Sequence, residues 1–352
     1  MTLAPYQPVN IKNKKELTKL LKKNPQSKIV DVLERQILEL FFIDNHKYVG
    51  FPKEKIYQES LFKKYQQLKK KEYQLFYYPW NYTLVKCLRA NDYFRLRTNR
   101  NQDLITFKEQ QILYRFKIAV FGLSVGSNIA LTLTQAGISQ NIILADPDEL
   151  DTTNLNRILA GIHEVGLNKS IISARKIYEE NPYAGIKIFT EGINNENLAV
   201  LLQNKEIDCI IEEVDNLPVK IDIRLLAKKF KVPVLMITDN GDGVVLTIER
   251  YDLGYQKIFN QALSYWQNRL SAPLTRELAG DIIINDLVGG KNKVAPKMLK
   301  SVKKVYRHQL VSWSQLGSAA ILGGVAVTIA VKKIVLNSDH QKYQRLYINL
   351  PL

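Results

Sequence analysis

The chain has 352 residues, 46% of them hydrophobic and 24% charged, a balance that fits a well-cored globular protein and excludes a disordered or fibrous one. Its two cysteines, Cys87 and Cys209, exclude a disulfide framework and a four-cysteine zinc site, and a reducing, cytoplasmic setting is expected. Fifty Lys and Arg (50) against 34 Asp and Glu leave a net charge of +16, which favours anionic ligands or partners, although no nucleic-acid motif accompanies it.

The first ten residues, MTLAPYQPVN, carry no basic stretch followed by an apolar one, so no signal peptide is expected. Residues 1–110 are rich in Lys, Tyr, Gln and Asn. Leu and Phe recur between lysines at helical spacing in 12–24 and 53–73. This predicts a basic, mainly helical N-terminal domain over 1–110, with a turn at YYPWNY. From 111 to 352 the pattern changes. Short β-branched runs at 117–122, 141–146, 186–191, 207–214, 232–238 and 243–249 alternate with helical stretches at 127–137, 168–180, 195–204 and 217–230. Uninterrupted apolar strands between helices predict an α/β domain: a Rossmann-like, mostly parallel sheet with helices on both faces. Ligands of such sheets bind at the carboxyl ends of the strands. GGKNK at 289–293 reads as an exposed loop. The apolar stretch 316–331 falls short of the roughly 20 residues that span a bilayer. Its Gly, Ala and Ser suit a buried or interface helix.

The first strand of this region ends in Gly122-Leu123-Ser124-Val125-Gly126. Two chemistries share that outline: a G-x-S-x-G nucleophile elbow, and a phosphate-binding turn before a helix. The elbow needs an acid and then a histidine, and the later histidines, His163, His308 and His340, are poorly placed for that order. An elbow also rarely closes the first strand of its sheet. The phosphate reading gains from Asp146, which ends the next strand 146 − 122 = 24 residues beyond the first glycine, where an acid meets ribose in dinucleotide folds. Leu123 and Val125 stand where further glycines of G-x-G-x-x-G are expected, which argues against an ordinary dehydrogenase.

Residues 146–177 add Asp148, Asn154, Asn156, Arg157, Gly166 and Lys169. A carboxylate accepts from ribose; a guanidinium and an ammonium meet phosphate oxygens. The same residues also read as strand-end caps, turn formers and surface cations. Asp215, in EEVDN, ends another strand. It suits Mg²⁺, and it equally suits the N-cap of 217–230. Glu212 and Glu213 beside it read as extra negative charge near the metal. Asp239 and Asp242, in TDNGDG, receive no role.

The set Gly122/Gly126, Asp146-Pro147-Asp148, Asn154-Leu155-Asn156-Arg157, Gly166-Leu167-Asn168-Lys169 and Val214-Asp215-Asn216 resembles, in order and spacing over about 115–250, the ThiF/MoeB/E1 superfamily of ATP-dependent adenylating enzymes. It looks closest to a bacterial ThiF-like subgroup with some members fused to a nitroreductase-like domain. The stretch 321–335 resembles the family's late packing helix, and 97–113 its opening segment. The resemblance implies that backbone amides of the Gly122–Ser124–Gly126 turn face the phosphates. It implies that Asp146 meets ribose, with Asp148 among the nucleotide-binding residues, that Asn154, Arg157 and Lys169 hold the triphosphate, and that Asp215 holds Mg²⁺. It also implies a homodimer, in which Arg97 or Arg100 reaches the partner's ATP site, and a carrier-protein, peptide or small-acid substrate. An acidic carrier would suit the basic first domain.

The family's catalytic cysteine and CxxC zinc motifs are absent here, since Cys209 sits mid-strand and Cys87 precedes the α/β region. The expected reaction is therefore formation of an acyl-adenylate from ATP and a carboxylate, then direct attack by an amine, water or sulfur donor, with no thioester. The alternatives are a non-catalytic nucleotide-binding or scaffold protein, and an NAD-dependent oxidoreductase.

Overall fold

The structure, a computed structural model, describes residues 4–271 and 273–350. The chain forms two compact units. One comprises residues up to Gln110 together with Ile177–Ala184. The other comprises Gln111–Lys176 and the chain from Gly185 onward.

The first unit contains β1 (Val9–Ile11), α1 (Lys14–Lys23), β2 (Lys28–Asp31), α2 (Leu33–Asp44), α3 (Lys53–Gln58), α4 (Ser60–Lys69), β3 (Tyr73–Tyr78), β4 (Thr83–Leu88) and α5 (Ala90–Arg97). Helix dominates, as its lysine-spaced Leu and Phe require. Leu33, Ile37, Leu40 and Phe41 of α2 pack with Ile56, Phe62 and Leu88 in one apolar cluster. The unit also holds a four-stranded sheet, ordered β1-β3-β4-β2, that the sequence reading did not anticipate. The YYPWNY turn closes the β3–β4 hairpin, with Tyr82 at φ +53°. Residues 177–184 join this unit through hydrogen bonds. Tyr78 and Tyr93 hydroxyls donate to the carbonyls of Tyr178 and Glu180, and Trp80 Nε1 donates to Glu179.

After α6 (Phe107–Arg115), the second unit alternates β5 (Ile118–Phe121), α7 (Val125–Gln135), β6 (Asn141–Ala145), α8 (Lys169–Glu180), β7 (Gly185–Phe189), α9 (Asn195–Gln203), β8 (Cys209–Glu212), α10 (Leu217–Phe230), β9 (Val234–Asn240) and β10 (Gly243–Glu249). Then come α11 (Leu263–Arg269), α12 (Arg276–Ile282), α13 (Pro296–Tyr306), α14 (Gly317–Val335) and β11 (Tyr343–Ile348). The seven strands are ordered β11-β10-β9-β8-β5-β6-β7. β9, β8, β5, β6 and β7 are parallel, while β10 and β11 run antiparallel at one edge. Every residue of β5 and β8 is buried, as strands covered on both faces must be. Leu198, Leu201 and Leu202 of α9 and Ile223 and Ala227 of α10 cover the face bearing Ala119, Phe121, Ile143 and Ile210.

Helix α14 packs against α7 and the β9–β10 side of the sheet. The approach is close enough to need glycine: a Cβ on Gly324 would lie 3.0 Å from the Asn128 carbonyl oxygen and 2.8 Å from Thr132 Oγ1. At 19 residues α14 is long and apolar enough to cross a membrane by length and composition, yet half of it is buried inside the fold. Its outer face leaves Ile321, Val325 and Ile329 exposed, one turn apart.

Candidate functional site

The strand ends that carry the expected chemistry meet around the β5–α7 turn. Gly122 holds φ +86°, and a Cβ there would sit 2.4 Å from the Glu213 carbonyl oxygen, so only glycine lets the turn lie against the end of β8. Gly126 likewise has Val120 Cγ1 at 2.9 Å from where a Cβ would be. The first turn of α7 has no side-chain cap. The positive end of the helix is therefore not neutralised by a capping side chain of the turn.

Asp146 is buried, and both its oxygens are engaged. Oδ2 accepts from the Leu123 amide at 2.5 Å and Oδ1 from the Asp148 amide at 2.8 Å. Burial raises its pKa, with the Lys169 charge and these two amides pulling the other way. The carboxylate thus ties the end of β6 to the glycine turn. Asp148 is open: its side chain is 64% exposed and accepts at 2.8 Å from Lys169 Nζ, the first residue of α8. Asn154 is buried, with Oδ1 accepting from the Asp151 amide at 3.0 Å in a reciprocal turn. That oxygen is spent on the local backbone, as the turn-former reading has it.

Arg157 differs from the other basic residues here. Its Nε donates to Ser124 Oγ at 2.9 Å, and its Nη1 donates to Asn156 Oδ1 at 2.9 Å and the Thr153 carbonyl at 3.3 Å. All of these partners are neutral. Burial lowers its pKa, and Asp239 and Asp215 act on it through space to raise it. A half-buried guanidinium with no ion pair among the described residues, fixed to the serine of the glycine turn, has the chemistry to meet an anion. Ser124 serves as the anchor for Arg157 rather than as a nucleophile.

Asp215 is exposed, and the N-cap of α10 is its neighbour: Asn216 Oδ1 accepts from the Val219 amide at 3.1 Å. Capping therefore does not account for Asp215. Glu212 and Glu213 depart from the expectation of free negative charge. Glu212 accepts from Lys220 Nζ at 2.9 Å, Arg224 Nη1 at 2.6 Å and the Val214 amide at 2.8 Å. Glu213 Oε1 accepts from the Ile237 amide at 2.7 Å, and burial pushes its pKa well up. Both brace the loop that presents Asp215.

The sequence reading passed over Asp239. Its Oδ2 accepts from Gln315 Nε2 at 3.3 Å, while Oδ1 is shut off from solvent with no partner among the described residues. Burial lifts its carboxyl to about 6, against the opposing pull of Gln315 and Arg157. A signal was present, since the pair Asp-Asn follows β8 at 215–216 and recurs at the end of β9 at 239–240.

Arg97 and Arg100 belong to the first unit. Arg97 Nη1 lies 3.2 Å from Glu180 Oε1, whereas Arg100 is exposed. Cys87 is buried and its thiol is pushed up to about 11 by burial. Cys209 opens β8 at the end opposite Asp215, wholly buried, with its thiol raised well above the ordinary range.

Comparison with known proteins follows the same lines. The ThiF family profile matches residues 96–349. An uncharacterized protein of Mycobacterium tuberculosis is 33% identical over 274 residues, which are 74% of this chain and 36% of that protein. A probable molybdopterin-synthase adenylyltransferase of Porphyra purpurea is 32% identical over 114 residues, 32% of this chain and 29% of that one. The chain thus spans about a third of the length of these relatives. Among solved structures, the Escherichia coli tRNA N6-threonylcarbamoyladenosine dehydratase TcdA in complex with AMP shares the fold. Its TM-score is 0.50 at 19% identity, over 69% of this chain and 96% of that one.

Proposed function

We propose that this chain, which belongs to the ThiF family, is an ATP-dependent adenylyltransferase that activates a carboxylate. A carboxylate oxygen attacks the α-phosphorus of ATP, the bond to the bridging oxygen breaks, and pyrophosphate leaves with the electron pair, forming an acyl-adenylate. The observation that carries this reading is Arg157, a guanidinium whose hydrogen-bond partners among the described residues are all neutral, held on the glycine turn at the uncapped end of α7. Such a group gains most when a polyphosphate replaces water around it, and catalysis rests on positioning and charge stabilisation. Lys169 serves the same phosphates, Asp148 with Asp146 meets ribose, and Asn154 shapes the loop that carries Arg157. A relative named as an adenylyltransferase, similar over 114 residues, supports the assignment.

The residues also fit a magnesium ion. Asp215 is an exposed carboxylate released from capping by Asn216, and Asp239 carries a buried oxygen with no partner among the described residues; both act on Arg157 through space. When bound, the ion would offset charge on the departing pyrophosphate, with Asp215 as its ligand. Cys209 opens β8 at the end away from Asp215, Cys87 lies in β4 of the first unit, and burial raises both thiols. The acyl group therefore passes to an acceptor other than a thiol of this chain. The exposed stripe of Ile321, Val325 and Ile329 on α14 and the exposed Arg100 favour a homodimer with Arg100, not the ion-paired Arg97, acting across it. The substrate acid belongs to a carrier protein, a peptide or a small molecule, and the reaction to a cytoplasmic setting.

Calorimetric titration with Mg·ATP and with NAD⁺ tests the nucleotide, and ATP–pyrophosphate exchange tests the chemistry. Micromolar-range ATP binding, with NAD⁺ weak or absent, is expected. Tighter binding of NAD⁺ would overturn adenylation in favour of a redox role. Binding of ATP with no exchange on any carboxylate would leave a nucleotide-binding scaffold. Light scattering reads the dimer directly, and a monomer at micromolar concentration rules out an arginine in trans.

A further inference from the structure

The first unit carries a surface that the adenylation chemistry does not use. Between Lys47 and Lys71 the chain has eight lysines (8), two acids (2) and no arginine. Lys69 and Lys70 are paired, with Asp92 and Glu34. The other six, Lys47, Lys53, Lys55, Lys63, Lys64 and Lys71, are exposed and have no ion pair among the described residues. Large apolar side chains stand exposed among them: Val49, Phe51, Tyr57, Leu61 and Leu68.

A single exposed apolar residue is ordinary, but these are held outward as a set. Phe51 lies edge-on to Tyr48, ring centroids 5.7 Å apart, and Tyr57 lies edge-on to Phe62 at 5.4 Å. Tyr48 and Phe62 both pack on Phe41 of α2, at 5.3 and 5.1 Å. Phe51 and Tyr57 are therefore the outer ends of one chain of rings. In α4, Phe62 and Tyr65 turn to Phe41, which sends Leu61, Lys64 and Leu68, spaced at i, i+3 and i+7, outward on a face of their own. Lysine and apolar surface thus alternate on one rigid patch, and such a patch marks a contact with a partner.

The unpaired lysines call for a negative partner, and the residue types choose which. Lysine is depleted from protein interfaces, where its strongly hydrated ammonium is costly to bury. Nucleic-acid surfaces favour arginine, whose planar fork meets phosphates and bases in pairs, and this stretch has none. An anionic bilayer suits both parts of the patch. Lysine stems lie along apolar surface while their ammonium groups stay among the headgroups, and the apolar side chains enter the acyl boundary without needing a matching pocket. We infer that the 47–71 surface of the first unit binds the anionic face of a lipid bilayer, so that the protein works as a peripheral membrane protein.

Cosedimentation of the full chain with vesicles tests this. Vesicles of phosphatidylcholine mixed with phosphatidylglycerol are compared with phosphatidylcholine alone, at about 0.1 M and about 1 M salt, where the Debye length falls from about 10 Å to about 3 Å. Binding to the mixed vesicles is expected at low salt, with about tenfold less to the neutral ones. Lys63→Gln with Lys64→Gln should weaken it about tenfold to thirtyfold, near fivefold for each charge lost beside an anionic surface. Phe51→Ser with Leu68→Ser should weaken it about threefold to tenfold and leave the salt dependence in place. Lys303→Gln with Lys304→Gln, which alters exposed lysines of α13 in the second unit, should change nothing, and urea unfolding reports that each variant is intact. Equal binding to both vesicles, or to neither, overturns the inference, as does a loss in the α13 variant in place of the Lys63 and Lys64 variant. Salt-sensitive binding that ignores the loss of Phe51 and Leu68 also overturns it and assigns the lysines to an acidic macromolecule. A dimer in light scattering that the Phe51 and Leu68 variant turns into a monomer overturns it in favour of a contact between two copies of the chain.

Discussion

Two arginines of the second unit are drawn out of water, and their surroundings are opposite. Arg224 is fully enclosed. Its Nε lies 2.5 Å from Glu249 Oε2, its Nη1 2.6 Å from Glu212 Oε2, and its guanidinium carbon 3.7 Å from the centroid of the Phe259 ring. Both carboxylates are equally buried, and Lys220, the Phe259 amide and the Tyr251 hydroxyl complete their hydrogen bonds. Arg157 is half-buried, and its hydrogen-bond partners among the described residues are all neutral, with Asp239 and Asp215 acting only through space. The first cluster is complete within the chain and holds α10, β8 and β10 together. The second is complete only with something added. A cation whose charge is met by ion pairs within the fold explains stability, and one met only by neutral hydrogen bonds and distant carboxylates points to a ligand.

The largest expected effect falls on the closed cluster. Arg224→Leu strands Glu249 without its cation, and breaking a buried pair from one side typically costs about 3–5 kcal/mol. Urea unfolding should show that loss. An unchanged midpoint would mean that the enclosed charges matter no more than surface ones. Next comes Asp215→Ala at the open site. Loss of one preorganised charge-stabilising group is worth about 2.7–4 kcal/mol of activation free energy, or roughly 10²–10³ in kcat. Pyrophosphate exchange measures it, and wild-type exchange would remove Asp215 from the reaction.

Arg157→Gln sharpens the contrast between the arginines. ATP affinity should fall about tenfold to a hundredfold, while stability stays within about 0.5 kcal/mol, the reverse of the Arg224 outcome. Calorimetry and unfolding on the same preparation separate the two.

A smaller effect concerns pH. Burial lifts the Asp239 carboxyl from its ordinary 3.8 to about 6. The folded chain therefore holds this proton more tightly than the unfolded chain does. Its contribution is favourable below pH 4 and is lost as pH rises through about 6. Asp239→Ala should accordingly gain stability, relative to wild type, between pH 4 and pH 8, by on the order of 1 kcal/mol. A flat difference across that range would show a carboxyl already paired. The least change is expected from replacing both thiols, Cys87→Ser with Cys209→Ala. Exchange should persist, with stability lower by about 1 kcal/mol through lost packing. A folded cysteine-free protein that lost activity would restore a thioester route.

The core strands were legible because strands buried on both faces read as apolar runs. All six runs from 117–122 to 243–249 became strands, and the predicted helix 217–230 is α10 residue for residue. The sheet of the first unit was hidden, since β1 and β2 are only three and four residues long and mostly exposed, too short to show a period against lysine-rich surroundings. β11 escaped for a related reason. Its residues, Tyr343–Ile348, are half-buried or exposed, and their pairing with β10 depends on a partner nearly a hundred residues away.

The sequence by itself determined the order of elements and the chemistry available at each strand end: the glycine turn, Asp146, Arg157, Lys169 and Asp215. These are local properties, set by apolar period, by glycine at Gly122 and by residue type. Only the tertiary structure decided how each group is used. Asp146 and Asp148 look alike as D-x-D, yet one is sealed onto the Leu123 amide and the other faces water. Asp215 and Asn216 both suit a helix cap, and the structure gives the cap to Asn216. Glu212 and Arg224 are charges that a sequence places on a surface and the fold places at its centre. Asp239 gained meaning only when packing closed off its Oδ1 and set it within the field of Arg157. The physical reason is common to all four. A side chain's type states what it can exchange with water, but its energy depends on whether water, a partner or nothing stands beside it, and only long-range packing settles that.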